Sequence, residues 1–317
     1  MRRLSIAFVL ALAAGLAQAQ SYPVKPLRLI IPFPPGGSND VVGRAIGQQL
    51  GERLGQGVVI DNRGGAGGII GTEQAAKSPP DGYTLLLIST AFPTSIAFNR
   101  LPQDAMKSFA PVAMLGSGPA LLVVPASSPA NSVKELLDLL KKKPGELNAA
   151  AAGIGSFQHM ATELFRLQSG TDFVIVQYKG GGPALTDVIA GQVQVNLGSL
   201  VQMMPHVRSG KLKALGVGGA KRVAALPEVP TIAEAGVPGY EANNWWGILA
   251  PAGTPGPILN RLYNEITAIL DSPETRKRFE LEGAEVMRMS PVEFASFVAQ
   301  DTVKWTRVVK EAGIKAE

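Results

Sequence analysis

The sequence predicts an α/β fold with two domains, and three observations support this prediction. Strand and helix patterns alternate along most of the chain. Glycine-rich turns follow several predicted strands, as expected where helices connect the strands of a sheet. The length of 317 residues exceeds what a single hydrophobic core usually organises. We therefore expect two units, each a mostly parallel sheet flanked by helices.

The N-terminal residues have the pattern of a cleavable secretory leader. Arg2 and Arg3 form a basic start, Leu4–Leu16 are mostly apolar, and Ala17–Ala19 form a small-residue cleavage site. The apolar run is too short to span a membrane, which takes roughly 20 residues. We expect cleavage of the signal peptide, residues 1–19, near Ala19, and a soluble chain in the periplasm.

The composition argues against several kinds of site. The chain contains no cysteine, so disulfides, thiol nucleophiles and thiolate metal ligands are excluded. Two histidines without cysteine are poor material for a transition-metal site. The formal net charge of +5 is weak support for nucleic-acid binding. We expect no metal, no cofactor and no nucleic-acid partner.

The first α/β unit follows the leader. Its predicted elements are strand Leu27–Pro32, helix Asp40–Leu54, strand Val58–Asn62, helix Ile69–Lys77 and strand Tyr83–Ser89. This βαβαβ order predicts parallel strands.

The second unit opens with helix Val133–Lys142, which has Ser132 and Glu135 at the spacing of a capping box. The elements predicted after it are strand Asn148–Ala152, helix Phe157–Ser169, strand Phe173–Gln177, helix Pro183–Ala190 and strand Val193–Leu197. The order resembles that of the first unit, so we expect two α/β units of similar size.

The C-terminal part contains the predicted strand Trp246–Ala250 and three helices. Each helix begins at a proline that follows a capping residue, and the pairs are Thr254-Pro255, Ser272-Pro273 and Ser290-Pro291. Trp245 and Trp246 are expected to pack in the core or the hinge.

Two extended apolar segments, Ala120–Val124 and Leu212–Val217, are candidate crossings between the units. Both ends of the chain would then belong to one domain. We expect residues 20–121 plus 236–317 in domain 1 and residues 122–235 in domain 2.

Three segments place glycine between a strand and a helix, and the first is Phe33–Asp40. Ser38 or Asn39 is the expected N-cap, and Gly37 is expected to have a positive φ. Ligands of parallel sheets bind beyond the carboxyl ends of strands, and free N–H groups at a helix start favour an anion. We therefore expect Gly37, Ser38 and Asn39 to contact a ligand, with Phe33 as an apolar wall.

The second segment, Gly153–Ser156, is followed by His159 and Glu163. Two interpretations are open: Ser156 caps a helix beside a ligand, or Ser156 and His159 belong to an exported serine hydrolase. The nucleophile elbow Gly-x-Ser-x-Gly does not occur in the chain, which favours capping and ligand contact. No pair of carboxylates has the spacing of a general acid and base, so we predict no catalytic residue.

The third segment is Tyr178–Asp187, with three consecutive glycines that end at Gly182. Lys179 is expected to be a solvated loop residue. Asp187 either complements the dipole of the first helical turn or accepts a hydrogen bond from an amino or hydroxyl group of a ligand. A further glycine-rich segment, Arg63–Gly68, lacks the spacing of a nucleotide-binding fingerprint.

Five longer segments carry a family pattern. They read YPVKPLRLIIPFPPGGSND, VVIDNRGGAGGIIGTEQAAKSPPDGYTLL, GIGSFQHMATELF, YKGGGPALTDVIAGQV and LPEVPTIAEAGVPGYEANNWWGILAPAGTP. Together they resemble the Bug family (TctC-like) of extracytoplasmic solute receptors, the substrate-binding subunits of tripartite tricarboxylate transporters. The resemblance runs from Tyr22 to the C-terminal helix. It implies a two-domain periplasmic binding protein (type II, Venus flytrap) that binds a small carboxylate and catalyses no reaction.

The resemblance also implies site residues and partners. The loops that line the family's cleft match Phe33–Asn39, Ser89–Thr90, Gly153–His159 and Gly180–Asp187, so the expected site includes Ser89, Thr90, Gly155, Ser156, His159, Gly182 and Asp187. In the family, backbone N–H groups and ordered waters typically hold one ligand carboxylate. The implied partners are a small carboxylate and, transiently, the integral-membrane permease subunits of the transporter. We expect the receptor to be a monomer.

The ligand and the partner stay open at this point. Ser89–Phe92 and Phe157–Gln158 depart from the family pattern, which suggests a bulkier and less polar distal pocket. A sensor that presents its ligand to a signalling partner would have the same cleft, so it is an alternative to a transporter receptor.

Overall fold

The computed structural model describes residues 22–311 and 313–314. Their β-strands are β1 (Leu27–Ile31), β2 (Val58–Asn62), β3 (Thr84–Ser89), β4 (Phe109–Pro125), β5 (Asn148–Ala151), β6 (Val174–Gln177), β7 (Val195–Ser199), β8 (Leu212–Val217), β9 (Asn243–Pro251) and β10 (Glu285–Val286). Their α-helices are α1 (Ser38–Leu54), α2 (Ile69–Ala76), α3 (Ala91–Ala97), α4 (Val133–Lys142), α5 (Phe157–Ser169), α6 (Gly181–Ile189), α7 (Leu200–Arg208), α8 (Gly256–Asp271), α9 (Pro273–Leu281) and α10 (Pro291–Glu311). The predicted leader, residues 1–19, lies outside the described residues.

The strands follow the order β2-β1-β3-β9-β4-β7-β5-β6, with β8 and β10 paired to β4. Strands β2, β1 and β3 are parallel, and so are β6, β5 and β7. Strands β9 and β4 lie antiparallel between these two sets. Each set of three parallel strands forms the centre of one lobe. The predicted α/β class is confirmed, and the antiparallel strands make the sheet mixed.

Strand β4 connects the two lobes. Its residues Phe109–Pro119 pair with β9 in the first lobe, and Ala120–Val123 pair with β7 in the second. Register shifts against β9 interrupt the ladder twice. The predicted crossing Ala120–Val124 therefore lies within a longer strand, whose first half is rich in proline, glycine and alanine and was not predicted.

The return to the first lobe comes later in the chain than Leu212–Val217. That segment is β8, which pairs with the second-lobe end of β4. Val237 and Ala242 still pack in the core of the second lobe, whereas Trp246 packs in the core of the first. We propose that the chain returns at Asn243, and the domain limits given above stay predictions.

The central strands are apolar on both faces because both faces are covered. In β1, Leu29 and Ile31 pack on one face of the sheet, and Ile30 packs in a separate cluster on the other. Trp246 and Trp245 divide between the same two clusters, as neighbours in a strand must. This double coverage is typical of sheets flanked by helices and explains the continuous apolar runs in the sequence.

Serine caps fix several helix starts. Ser132, Ser156 and Ser272 each accept a hydrogen bond from a backbone N–H of the first turn, as the sequence predicts. The predicted cap Thr254 is wrong. Its hydroxyl donates to the carbonyl of Pro251 at 2.8 Å and makes no cap for α8.

Helix α1 begins one residue earlier than a serine or asparagine cap would allow. Its N-cap is Gly37, with a φ of −84°, so Ser38 and Asn39 lie in the first turn. The positive φ that we expected at Gly37 occurs at Gly36, with a φ of +84°. Because the turn is completed one residue early, the Ser38 and Asn39 side chains are not used as caps.

Helices α3 and α7 were not predicted from the sequence. Each starts within two residues of a strand, without a glycine turn between them. Each also contains a proline, Pro93 or Pro205, which usually ends a helix pattern. None of the described helices combines the length and apolar character needed to cross a membrane.

A candidate ligand site between the lobes

A cavity of about 40 Å³ lies between the two lobes, beside the carboxyl ends of β1, β3, β5 and β7. Both lobes contribute to its wall. The lining residues are Phe33, Gly37, Ser38, Asn39, Ser89, Ala91, Ala152, Ser156, Phe157, Gln158, Gly181, Ser199, Gln202 and Asn244. A single water occupies roughly 10–15 Å³ on this measure, so the cavity has room for several waters or a small solute.

Helix starts converge on this cavity. Residues at the starts of α1, α5, α6 and α7 all contribute to its wall. The N-cap residues of α1, α6 and α7 are Gly37, Gly180 and Ser199, and none of them caps its helix with a side chain. The first N–H groups of a helix have no acceptor within the helix. Three helix starts therefore present backbone donors and a partial positive charge toward one space.

Serine hydroxyls add further donors. Ser38 Oγ accepts from Asn244 Nδ2 at 3.4 Å, and Ser89 Oγ accepts from Asn39 Nδ2 at 3.3 Å. A hydroxyl that accepts an N–H still has its own proton to donate. Ser199 Oγ is buried and has no hydrogen-bond partner among the described residues. Three hydroxyl protons are thus available in the wall of the cavity.

Two amide oxygens in the same wall also lack partners. Gln158 Oε1 and Asn244 Oδ1 are buried, and no donor among the described residues reaches them. The two side chains are only 4% and 1% exposed. Buried polar atoms are normally hydrogen-bonded, so these atoms mark positions that a solute or water would satisfy.

The lining that the structure describes contains no Lys, Arg, His, Asp or Glu side chain. Lys179, which follows the third predicted strand end, is exposed and does not reach the cavity. An anion in the cavity would therefore be compensated by backbone dipoles and hydroxyls and not by a side-chain cation.

Asp40 holds the loop that precedes α1. Its carboxylate accepts from the Gly36 N–H, from Asn62 Nδ2 and from Arg44 Nε, each at 3.0 Å. Asn62 Nδ2 also donates to the carbonyl of Phe33 at 3.0 Å. Burial by itself raises the pKa of the Asp40 carboxyl, but these hydrogen bonds hold that pKa below its usual range. Asp40 is a positioning residue for the Phe33–Gly37 loop and does not line the cavity.

Gly155 and His159 lie behind the cavity wall. His159 Nδ1 accepts from the Gly155 N–H at 3.3 Å, and the Gly155 carbonyl accepts from the Thr94 hydroxyl of the first lobe. Burial, with Arg166 and Arg100 nearby, lowers the pKa of His159 to about 4. A neutral His159 thus fixes the loop at the point where it meets the other lobe, and the Gly155 N–H is occupied.

The geometry does not form a serine–histidine pair. Ser156 Oγ accepts from the backbone N–H of His159 at 3.1 Å, and the His159 ring uses Nδ1 to bind Gly155. Ring atom Nε2 faces Glu163 at 3.8 Å. Within the described residues, His159 is not placed to take a proton from Ser156.

The structure brings together six of the predicted site residues. The residues that line the cavity are Phe33, Gly37, Ser38, Asn39, Ser89 and Ser156. The residues that do not line it are Thr90, Gly155, His159, Gly182 and Asp187. Of these, Thr90 is fully buried, and Gly182 lies with its backbone against Pro35 of the first lobe.

Asp187 differs from the expectation in both respects. It lies in the last turn of α6, because the helix extends only from Gly181 to Ile189, so it does not complement the dipole at the helix start. Its carboxylate accepts from the Tyr178 hydroxyl at 2.7 Å. That phenol, and no ligand, is the partner that the structure shows.

Four polar lining residues were not predicted: Gln158, Ser199, Gln202 and Asn244. Ser199 ends β7, so the rule that ligands bind at the carboxyl ends of strands could have found it. Gln202 follows on α7, which the sequence did not reveal. Asn244 comes from the start of antiparallel β9 and has no local signal.

Comparisons with known proteins agree with this architecture. A family model described as "Tripartite tricarboxylate transporter family receptor" matches residues 42–314. The chain belongs to this family. It is 37% identical to Protein BugT of Bordetella pertussis over 320 residues, covering 99% of this chain and 98% of that protein.

Solved structures of similar proteins share the two-domain fold of this receptor family. Periplasmic binding protein BugD superposes with a TM-score of 0.88 at 33% identity, covering 93% of this chain and 99% of that one. R. palustris Rpa4515, solved with adipate, gives a TM-score of 0.88 at 36% identity, with the same coverage of 93% and 99%. The predicted family resemblance and the two-domain periplasmic binding protein fold are confirmed.

Proposed function

We propose that the chain is a periplasmic solute-binding protein. It captures a small carboxylate in the interlobe cavity and delivers it to the membrane permease of a tripartite tricarboxylate transporter. The observation that carries this proposal is the convergence of three helix starts without side-chain caps on a cavity lined by uncharged residues.

A carboxylate is the ligand that this wall favours. Backbone N–H groups and serine hydroxyls can donate to its oxygens, and hydrogen bonds to a charged group contribute roughly 1.5–3 kcal/mol each. The helix dipoles favour a negative charge at the same place. A cation would meet the positive ends of these dipoles and would find no carboxylate among the lining residues described.

Family membership supports the receptor role. The family is described as a transporter receptor, and a similar protein was solved with adipate. Hydrolysis is not favoured, because His159 binds Gly155 and not the Ser156 hydroxyl.

The test is a thermal-shift screen of the purified chain against monocarboxylates, dicarboxylates, amino acids and aromatic acids, followed by calorimetric titration. A ligand at 100 times its dissociation constant should stabilise the chain by about 2.7 kcal/mol. Ester substrates are included, and we expect no product. A screen in which every carboxylate leaves the melting temperature unchanged would contradict the proposal, and product release would favour the hydrolase.

Export and delivery need separate measurements. The intact mass of the periplasmic protein should correspond to a chain that begins near Gln20, and a retained leader would contradict the proposed export. Proteoliposomes with the permease subunits should take up the labelled ligand only when the receptor is added. Equal uptake without the receptor would contradict delivery.

A further inference from the structure

A chain of three amide contacts determines which atom Gln158 presents to the cavity. Gln202 Nε2 donates to the carbonyl of Gly181 at 2.7 Å, and Gln158 Nε2 donates to Gln202 Oε1 at 3.3 Å. A backbone carbonyl can only accept, so Gln202 must turn its Nε2 toward Gly181. Its Oε1 then faces Gln158, which must also turn its Nε2 inward. Gln158 Oε1, an obligate acceptor, is left at the cavity.

The backbone around these amides leaves room for them. A Cβ atom at Gly181 would lie 2.8 Å from Gln202 Oε1, and one at Gly198 would lie 2.5 Å from Gln158 Nε2. Neither distance is compatible with a side chain in place. The orientation of the two glutamines therefore follows from tertiary packing as well as from the Gly181 carbonyl.

An acceptor in the wall discriminates between ligands. Gln158 Oε1 cannot bond to an ionised carboxylate, because both groups only accept. A second carboxylate would also find no cation among the described lining residues, and a buried unpaired charge is costly. A hydroxyl, amino or primary amide group could instead donate to Gln158 Oε1.

We infer that the ligand carries one carboxylate and a separate hydrogen-bond donor, and that the corresponding dicarboxylate binds more weakly. The carboxylate meets the helix starts and serine hydroxyls, and the donor meets Gln158 Oε1. The ligand class is thus the hydroxy, amino or carboxamide monocarboxylates. This inference rests on the proposed function and defines its substrate.

Calorimetric titration of the native chain at neutral pH tests the inference with two matched series. One is butyrate, succinate, succinamate, γ-aminobutyrate and γ-hydroxybutyrate, and the other is hexanoate, adipate and adipamate. Each amide has the shape of its dicarboxylate but one negative charge fewer. In at least one series a donor-bearing acid should bind about tenfold more tightly than the dicarboxylate and the unsubstituted acid, a difference of about 1.4 kcal/mol.

The outcomes separate the inference from the proposed function. If a dicarboxylate binds as tightly as every donor-bearing acid of its series, in both series, the inference is overturned and the receptor function stands. If no acid of either series binds, the receptor function fails and the inference fails with it.

Substitution of Gln158 gives a second test. Gln158→Met keeps the length of the side chain and removes the acceptor, so the preference for the amide over the unsubstituted acid should fall about tenfold. Gln168→Met is the matched control, because Gln168 is exposed near the other end of α5 and should leave this preference unchanged. An unchanged preference in folded Gln158→Met would overturn the inference. If that variant does not fold, the ligand series on the native chain decides.

Discussion

Asp40 shows how a residue outside the cavity can control it. Its two carboxylate oxygens bind the Gly36 N–H, Asn62 and Arg44, so one side chain fixes the loop that leads into α1. The loop in turn carries Phe33 and Gly37, which line the cavity. The position of the first helix start therefore depends on a buried acid that makes no contact with the ligand space.

We predict that Asp40→Asn lowers both stability and affinity. The amide nitrogen would face either Arg44 or another donor, which leaves a buried donor unsatisfied at a cost of about 1–3 kcal/mol. Affinity for the best carboxylate of the screen should fall about tenfold, since the loop loses its anchor. Urea unfolding and calorimetric titration measure the two effects. The control is Asp104→Asn, which removes only an exposed pair with Lys107. Equal stability of Asp40→Asn and the control would refute the anchoring role.

His159 makes stability depend on pH. Its folded pKa of about 4 lies below the ordinary value of 6.5, because burial and the neighbouring Arg166 and Arg100 disfavour the charged ring. Glu163 faces the ring at 3.8 Å, but Arg166 binds its carboxylate at 2.8 Å. Between these pKa values the unfolded chain binds the proton and the folded chain does not.

The contribution of His159 is therefore fully present above pH 6.5 and decreases as the pH falls toward 4, by about 3 kcal/mol in total. Other groups titrate in this range as well, so the comparison must be with His159→Gln, which removes this titration. We predict that the native chain loses more stability than the variant over this range, measured by urea unfolding. Parallel pH profiles of the two proteins would show that His159 is not buried in its neutral form.

Among the helices, the use of a serine hydroxyl separates scaffold from site. Ser132 caps α4 on the far side of the second lobe, and its hydroxyl is committed to the N–H of Glu135. Ser199 precedes α7, caps nothing and leaves its buried hydroxyl without a partner in the described structure. The same residue type thus supports a helix in one place and faces the cavity in the other.

We predict opposite effects of removing these two hydroxyls. Ser132→Ala should lower stability by about 1 kcal/mol and leave ligand affinity unchanged, because a cap is lost far from the cavity. Ser199→Ala should change stability little and weaken binding by roughly 0.5–3 kcal/mol, since its proton is available to the ligand. Thermal unfolding and titration of both variants provide the measurement, and each is the control for the other. Weakened binding in Ser132→Ala, with none in Ser199→Ala, would assign the hydroxyls wrongly.

Across the whole molecule, the two lobes meet around the cavity through backbone and small residues. Arg100 Nη1 donates to the carbonyl of Ile154 at 2.9 Å, and the Thr94 hydroxyl donates to that of Gly155. At the rim, a Cβ at Gly182 would lie 2.3 Å from the carbonyl oxygen of Pro35. The lobes can approach this closely only because no side chain stands between them.

We predict that Gly182→Ala prevents this approach without harming the fold. The backbone of Gly182 is not in the left-handed region, and its nearest neighbours all belong to the first lobe, so the methyl group obstructs only the contact between lobes. Affinity should fall at least about tenfold, while stability without ligand should hold or rise by up to about 1 kcal/mol. Gly256→Ala is the control, because a methyl group there meets no atom within 4 Å.

Small-angle scattering gives the structural measurement. Saturating ligand should decrease the radius of gyration of the native chain and of Gly256→Ala, as hinge closure about β4 and the return at Asn243 predicts. Gly182→Ala should show a smaller decrease. A radius of gyration that ligand leaves unchanged in the native chain would contradict closure.

The sequence by itself determined the elements whose signals are local. Helices α4 and α5 and strands β2 and β8 have the predicted limits, since caps, turns and apolar periodicity are set by neighbours within a few residues. The strand-end rule and the family resemblance located the Phe33–Asn39 loop, Ser89 and Ser156, all of which line the cavity. Local signals were misleading at Thr254 and at Ser38, where a different backbone turn left the side chain unused as a cap.

Only the tertiary structure decided which polar atoms meet in the cavity. Gln158 is oriented by Gln202, which lies 44 residues away, and Asn244 reaches Ser38 across 206 residues. The charge state of His159 likewise depends on burial between the lobes. Hydrogen-bond polarity and desolvation depend on every atom within a few ångströms, and chain neighbours supply only some of those atoms. The sequence pattern therefore indicated an anion site, whereas the packing of distant residues placed an acceptor in its wall.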